Sequence, residues 1–255
     1  VKNLKYISSV NIRVAHEMIG CADAVFPYIV CNRLLCHTLI VSPPGCGKTT
    51  LLRDLIRQIS DGNEYIKGCS VGVVDERSEL GGCYLGIAQN HLGTRTDILD
   101  CCPKAEGMIM LIRSMAPRVI AVDEIGTSED IHAIEYAMQC GCRLIASVHS
   151  LDMDEASKKP ILGDLIRRRM FQRYVVLGQD HGPGKIREIY DERGACAVQK
   201  LVGCFLILLA TTGAGWMYGK ELRNYLEELS HFRRIIEQIK GELLYAGLPL
   251  SEIFL

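Results

Sequence analysis

Apolar runs of four or five residues recur along the first 150 residues of the chain, and longer amphipathic stretches separate them. Short continuous apolar runs are typical of parallel strands that are buried on both faces. Amphipathic stretches between such strands predict helices, so the order strand, helix, strand predicts an α/β fold with a parallel sheet covered by helices. The predicted strands are 38–41, 71–74, 119–122 and 144–148, and the predicted helices are 51–57, 106–115 and 130–138.

A further pair of strands is predicted at the end of this region. Residues 173–177 and 185–190 predict a closing hairpin, joined by a turn through residues 181–184. We therefore expect one α/β domain over residues 1–195. Because Val1 already lies in sequence that predicts structure, we also expect a further segment to precede it.

The chain changes character after this domain. Residues 201–219 contain no charged side chain and lie between Lys200 and Lys220. A helix of about 20 apolar residues crosses the core of a bilayer, so residues 200–219 are predicted to form a transmembrane helix that contacts the membrane. The alternative is a buried helix of the globular domain, because glycines and threonines lower the hydropathy of this run.

Residues 220–255 show a helical periodicity. Apolar residues recur three and four positions apart, which predicts an amphipathic helix with a seam of a and d positions. Such a helix binds a partner helix, and the alternative is a helix that packs on its own domain. The seam residues are Leu222, Tyr225, Leu229, Phe232, Ile236, Ile239 and Leu243.

Composition narrows the class of protein. Of the 255 residues, 48% are hydrophobic, and the net charge at pH 7 is −1. The chain can therefore bury a full core. It has no overall positive charge to attract nucleic acid, so we expect no nucleic-acid partner. The 12 cysteines are scattered without a Cys-x-x-Cys spacing. We expect most of them to be small core residues in a reducing compartment rather than zinc ligands.

A glycine-rich segment joins the first predicted strand to the first predicted helix. Residues 42–50 read Ser-Pro-Pro-Gly-Cys-Gly-Lys-Thr-Thr, and Ser42 stands where such motifs usually have their first glycine. Glycines let backbone amides turn inward, and a helix N-terminus adds partial positive charge, so this segment predicts the phosphate-binding loop of a P-loop NTPase. The predicted ATP-binding residues are Pro44, Gly45, Cys46, Gly47, Lys48, Thr49 and Thr50.

Two pairs of carboxylates follow predicted strands. Asp75 and Glu76 follow the second predicted strand, and Asp123 and Glu124 follow the third. Ligands bind at the carboxyl ends of parallel strands, so both pairs are expected to face the phosphate-binding loop. Thr49 and Asp123 are predicted to hold Mg²⁺, and either Glu124 or Glu76 is predicted to orient and polarise the attacking water. An exposed acidic strand end is the alternative for each pair.

A histidine and several arginines are further candidates. His149 follows the predicted strand 144–148, where an imidazole can sense the γ-phosphate or bond a carboxylate; a capping or core histidine is the alternative. Phosphoryl transfer often uses an arginine from a neighbouring subunit to neutralise charge. The sequence does not choose among the candidates for that role, which are Arg77, Arg95, Arg113, Arg167, Arg168 and Arg169.

Four motifs lie in order along the chain, at residues 42–54, 73–79, 121–126 and 147–150. The second reads Val-Val-Asp-Glu-Arg-Ser-Glu, the third Ala-Val-Asp-Glu-Ile-Gly and the fourth Ser-Val-His-Ser. Together with the loop motif, they resemble the family of stage III sporulation protein AA ATPases, over about residues 1–191.

This family is similar to the secretion ATPases of type II and IV systems. The resemblance therefore implies a RecA-like core, assembly into a hexamer, and ATP hydrolysis coupled to a channel between mother cell and forespore. On this pattern Glu76 lies in the acidic box and His149 in the histidine box.

The tail carries a second resemblance. Residues 200–212 and 241–252 resemble the start of stage III sporulation protein AB, which is normally a separate chain. The join suggests two neighbouring reading frames that are fused or misread. The two resemblances imply other stage III membrane-channel proteins as partners, and a cytoplasmic ATPase domain associated with the inner membrane.

Two other functions stay open from the sequence. A scaffold that binds ATP without hydrolysing it, and then recruits membrane partners, would use the same loop. RecA-like cores also occur in nucleic-acid translocases, although the lack of a basic field argues against this function.

Overall fold

The chain divides into two units, one that ends at Val198 and one that begins at Gln199. Strands and helices alternate through the first unit, whereas the second is helical over its described residues. The computed structural model describes residues 6, 8–9, 17–178 and 185–246, without the side chains of 197–206 and 242–246.

The structure contains nine strands and seven helices within the residues that it describes. The strands are β1 (Val30–Cys31), β2 (Leu34–Leu35), β3 (Thr38–Ser42), β4 (Val71–Asp75), β5 (Thr96–Asp100), β6 (Val119–Val122), β7 (Arg143–His149), β8 (Arg173–Leu177) and β9 (Ile186–Asp191). The helices are α1 (Phe26–Ile29), α2 (Lys48–Asp61), α3 (Lys104–Met115), α4 (Ser128–Gln139), α5 (Met153–Lys158), α6 (Pro160–Arg167) and α7 (Ala197–Ala246).

Seven strands form one sheet in the order β5-β4-β6-β7-β3-β8-β9, and β1 pairs with β2 separately. Neighbouring strands are parallel from β5 through β8, and β9 runs antiparallel to β8. The predicted parallel α/β sheet is therefore confirmed, and so is the closing hairpin. The predicted turn of that hairpin, at residues 181–184, lies outside the described residues.

Strand β5 is missing from the prediction. It reads Thr-Asp-Ile-Leu-Asp and pairs with β4 at the edge of the sheet. Its residues are exposed or half-buried, whereas all five residues of β4 are buried. A strand at the edge tolerates aspartates, so β5 lacks the continuous apolar run that identifies the buried strands.

Two hydrophobic layers cover the faces of the sheet. Leu55 of α2 and Val73 of β4 belong to one layer, and Leu111 of α3, Ile134 of α4 and Val74 of β4 belong to the other. Successive side chains of a strand point to opposite faces. Two successive residues of β4, such as Val73 and Val74, must therefore both be apolar. This explains the continuous apolar runs of the sequence.

The carboxyl ends of the central strands meet at one edge of the sheet. In the observed register Ser42 of β3 lies opposite His149 of β7. Val122 at the end of β6 lies opposite Ala146 of β7 on one side and Val74 of β4 on the other. The segments that follow β3, β4, β6 and β7 therefore come together at this edge.

Helix α7 makes up the described part of the second unit and ends at Ala246. From residue 207 to residue 241 its side chains are nearly all exposed. The exposed positions include five of the predicted seam, namely Leu222, Tyr225, Leu229, Phe232 and Ile236.

Within the part of the chain that the structure describes, no helix is long and apolar enough to span a bilayer. The predicted transmembrane helix over 200–219 is therefore not confirmed. The side chains of 201–206 lie outside the description, and from Ile207 onwards the run contains Thr211, Thr212 and three glycines, which lower its hydropathy.

His37 makes the stability of the first unit depend on pH. It lies between β2 and β3, and its Nδ1 is buried without a hydrogen-bond partner among the described residues. Burial, with a smaller contribution from the charge of Arg143, lowers the pKa of His37 to about 4. An unfolded histidine titrates near pH 6.5, so between these two values the unfolded chain binds a proton that the folded chain does not.

We expect the free energy of unfolding to fall as the pH falls from about 6.5 to about 4, by at most about 3 kcal/mol from this group. Denaturant unfolding of wild type and His37→Gln at pH 7 and pH 4.5 measures the effect, and the variant should lose less stability. His132→Gln, which changes an exposed histidine of α4, is the control and should behave as wild type. Equal losses in His37→Gln and wild type would contradict the assignment.

Candidate functional site

The loop between β3 and α2 forms a cradle of backbone amides. Gly45 and Gly47 have φ values of +78° and +82°, which side chains rarely allow. Among the described residues, the amides of Gly45, Cys46 and Gly47 donate no hydrogen bond to the protein. Free amides at a helix N-terminus bind anions. The loop lines a cavity of about 230 Å³.

Lys48, the first residue of α2, places its ammonium group at the centre of the site. Its Nζ lies 3.1 Å from Glu124 Oε1, 3.3 Å from Asp123 Oδ1 and 3.3 Å from His149 Nε2. The side chain is 4% exposed. Because a buried charge is stable only when it is paired, these contacts are what keep the ammonium in place.

Thr49 and Asp123 bring two oxygen groups together beside Lys48. Thr49 Oγ1 donates to Asp123 Oδ2 at 3.1 Å. Hydroxyl and carboxylate oxygens are ligands that Mg²⁺ prefers, and Mg²⁺ usually completes its shell with water and substrate phosphates. The pair therefore fits Mg²⁺ held in this way. No cluster of three or more His, Cys, Asp or Glu side chains that could hold a metal alone occurs among the described residues.

Two features distinguish Glu124: its backbone conformation and the charged groups around its carboxylate. Its backbone is left-handed, with φ +56°, and its Oε1 lies 2.6 Å from His149 Nε2. Burial alone would raise the pKa of Glu124, but the charge and hydrogen bond of Lys48, aided by His149, lower it to about 2. Glu124 is thus a carboxylate at every physiological pH, and a weak base while Lys48 stays beside it.

Asp75 and Glu76 differ from the second carboxylate pair in their contacts. Asp75 is 3% exposed, and its carboxylate accepts hydrogen bonds from the amides of Glu79, Leu80 and Gly81 at 2.8–2.9 Å. Glu76 forms an ion pair of 2.7 Å with Lys104 at the start of α3. Asp75 therefore holds the following loop, and the Glu76 carboxylate is engaged by Lys104.

Of the candidate arginines, Arg77 lies at the site. Its Nη1 is 3.0 Å from Glu124 Oε2, and its side chain is 64% exposed. Four other candidates have partners elsewhere: Arg95 donates to Ser60 O, Arg113 lies over the Tyr136 ring, Arg167 pairs with Asp164, and Arg168 pairs with Glu135 and Asp164. Arg169 is exposed.

Ser147 is a site residue that the sequence reasoning did not single out. It is buried in β7, and its hydroxyl contacts both Asp123 and the backbone of Glu124. The sequence feature that could have identified Ser147 is its polar side chain within the apolar run 144–148.

The fold and these contacts define an α/β protein of the P-loop class. The family model for sporulation stage III protein AA matches residues 1–197, so the chain belongs to this family. The family model for stage III sporulation protein AB matches residues 200–255. Both resemblances stated from the sequence are therefore confirmed.

Two curated relatives match part of the chain. Stage III sporulation protein AA of Bacillus subtilis is 47% identical over 194 residues, which are 76% of this chain and 63% of that protein. A ycf45 protein of Cyanidium caldarium is 33% identical over 162 residues, which are 63% of this chain and 46% of that protein. The chain thus spans less than two thirds of the length of either relative.

Among solved structures, the ATPase DotB of Legionella pneumophila is similar in part. The match has a TM-score of 0.45 and 18% identity, and it covers 60% of this chain and 43% of that chain. A similarity of this size supports no assignment of function.

The free energy of unfolding tests whether Asp75 anchors the loop that follows β4. We expect Asp75→Ala to lower the free energy of unfolding by about 2–4 kcal/mol, because three amides lose their acceptor. Asp97→Ala, which removes an exposed aspartate of the neighbouring strand β5, is the matched control and should cost less than about 0.5 kcal/mol. Denaturant unfolding at pH 7 measures both, and similar values for the two variants would show that Asp75 does not anchor the loop.

Proposed function

We propose that this protein binds ATP with Mg²⁺ and hydrolyses its terminal phosphoanhydride bond. The observation that supports this proposal best is the position of Lys48. Its ammonium lies at the mouth of an amide cradle and within 3.3 Å of two carboxylates and a histidine. Cradle, cation and carboxylates are the parts that phosphoryl transfer to water requires.

The loop and the residues beside it supply the groups that bind phosphate and Mg²⁺. The amides of residues 45–47 and the ammonium of Lys48 bind phosphate oxygens. Thr49 and Asp123 hold Mg²⁺, which neutralises phosphate charge when it is bound. Pro44 and Cys46 belong to the same loop, Thr50 belongs to the first turn of α2, and the three shape the cradle.

The catalytic roles fall to Glu124 and His149. In the structure the Glu124 carboxylate is engaged by Lys48 and His149. Once Lys48 turns to phosphate oxygens, the interaction that lowers the pKa of Glu124 most is lost. Glu124 can then orient a water and accept its proton, while His149 fixes the carboxylate. Glu76 remains paired with Lys104 in this proposal.

The family membership supports a biological setting. We propose a RecA-like motor subunit of a sporulation channel, which acts as a hexamer in the cytoplasm at the inner membrane. The AB-type segment at 200–255 supports partnership with other stage III proteins.

Lys48→Ala tests the site. We expect ATP turnover to fall to background, because the substitution removes the cation that binds phosphate. Lys104→Ala removes another lysine that is paired with a carboxylate and should keep turnover within about threefold of wild type. Phosphate release by purified full-length protein measures both. Undiminished turnover in Lys48→Ala would refute the site.

A matched pair of isosteric variants separates the two candidate glutamates. We expect Glu124→Gln to bind a fluorescent ATP analogue but to lose about 10²-fold or more in kcat, because the group that orients water is gone. Glu76→Gln should retain most of its kcat. Binding without phosphate release in wild type would favour the non-hydrolysing scaffold, and salt-sensitive stimulation of turnover by DNA would favour the translocase.

Arg77 should act within its own subunit, because it contacts Glu124 of the same chain. We expect Arg77→Ala to lower kcat by about 10²-fold, since a cation is lost where charge develops. Mixing Arg77→Ala with Lys48→Ala should restore no activity. A rise in turnover on mixing would show that one chain supplies its arginine to the site of another.

A further inference from the structure

The hydroxyl of Ser147 lies between the two carboxylate residues that follow β6. Ser147 is fully buried in β7. Its Oγ donates to Asp123 Oδ1 and accepts from the Glu124 amide at 2.9 Å. Its backbone carbonyl accepts from the Ile125 amide at 2.9 Å. One residue of β7 thus holds three consecutive residues of the neighbouring segment.

We propose that Ser147 is a positioning residue that sets the geometry of both Asp123 and Glu124; this inference rests on the proposed ATP hydrolysis. Ser147 is not among the residues that line the cavity of the phosphate-binding loop. Its effect on the reaction passes through the two carboxylates.

The first effect concerns Asp123. One oxygen of its carboxylate accepts from Ser147, and the other accepts from Thr49 at 3.1 Å. That first oxygen also lies 3.3 Å from Lys48 Nζ. The hydroxyl and the ammonium together fix the rotation of the carboxylate and turn its second oxygen toward Thr49. Groups that orient a metal-binding carboxylate typically change metal affinity or activity by about 10- to 100-fold when they are removed.

The second effect concerns the backbone of Glu124. A non-glycine residue at φ +56° is strained and persists only where its surroundings hold it. Ser147 holds it on both sides, because its hydroxyl accepts the Glu124 amide and its carbonyl accepts the next amide. This conformation directs the Glu124 side chain to Lys48 and His149.

The chemistry explains why a hydroxyl is needed. The group must donate to a carboxylate and accept from an amide at the same time, and a hydroxyl does both from one atom. Alanine does neither, whereas threonine keeps both functions and suits a strand. Ser147→Ala and Ser147→Thr are therefore the informative pair.

A control must separate positioning from loss of stability. Val148→Ala changes the next residue of β7, which is fully buried in the hydrophobic layer on the other face of the sheet. This variant should lower the melting temperature through lost apolar contacts. It should leave the carboxylates undisturbed.

The experiment measures the Mg²⁺ concentration that half-saturates binding of a fluorescent ATP analogue to the full chain, together with kcat and KM for ATP. In Ser147→Ala we expect this Mg²⁺ concentration to rise and kcat to fall, each by about 10-fold or more, with KM for ATP within about threefold. Ser147→Thr should restore both values to near those of wild type. Val148→Ala should shift only the melting temperature.

Two results would overturn the inference while leaving ATP hydrolysis intact. One is a Ser147→Ala variant with the Mg²⁺ dependence and kcat of wild type. The other is a folded Ser147→Thr variant that is as impaired as Ser147→Ala, since it retains the hydroxyl. If wild type itself releases no phosphate, then the proposed function fails, and the Mg²⁺ dependence of binding still tests the orientation of Asp123.

Discussion

The whole site depends on one buried ammonium group. Lys48 is almost completely removed from solvent, and its charge is balanced by Asp123 and Glu124. These partners follow β6, while the lysine follows β3, and β7 lies between the two strands. His149, at the end of β7, fills the gap. The order of the strands is therefore what makes a buried cation tolerable, and the cation in turn fixes the carboxylates beside the loop.

The same three residues, Val-Asp-Glu, lie where β4 and β6 end, at 74–76 and 122–124, and the sequence could not tell the two carboxylate pairs apart. Both pairs lie at the predicted edge of the sheet, as parallel strands require. Their roles differ because the chain folds differently after each strand. Asp75 is occupied by three amides of its own following loop, whereas Asp123 is turned toward Thr49 by Ser147. The partners of Asp123, namely Thr49 and Ser147, are distant from it in sequence, so no local sequence pattern indicates them.

The elements that could be predicted are those whose burial is nearly complete. Central strands are apolar on both faces, so their runs stand out, and the glycine-rich loop is constrained by its backbone. Strand β5 was missed because it lies at the edge of the sheet and lacks a continuous apolar run. Helices α5 and α6 were missed because both are short. Arg77 and Ser147 contact residues that follow another strand. The contact of Arg77 with Glu124 depends on the register of β4 against β6, and the contacts of Ser147 depend on that of β6 against β7. Neither register can be read from the sequence.

The charges at the site bear on the proposed reaction. Lys48 and Arg77 are paired with Asp123 and Glu124, two cations against two carboxylates. A bound polyphosphate would add several negative charges and compete with both carboxylates for Lys48. Asp123 would hold a divalent cation that offsets its charge. Glu124 would lose the contact that lowers its pKa most, so its pKa would move up from about 2. In the proposed reaction, the ion pair between Lys48 and Glu124 thus keeps Glu124 a poor base until phosphate replaces it.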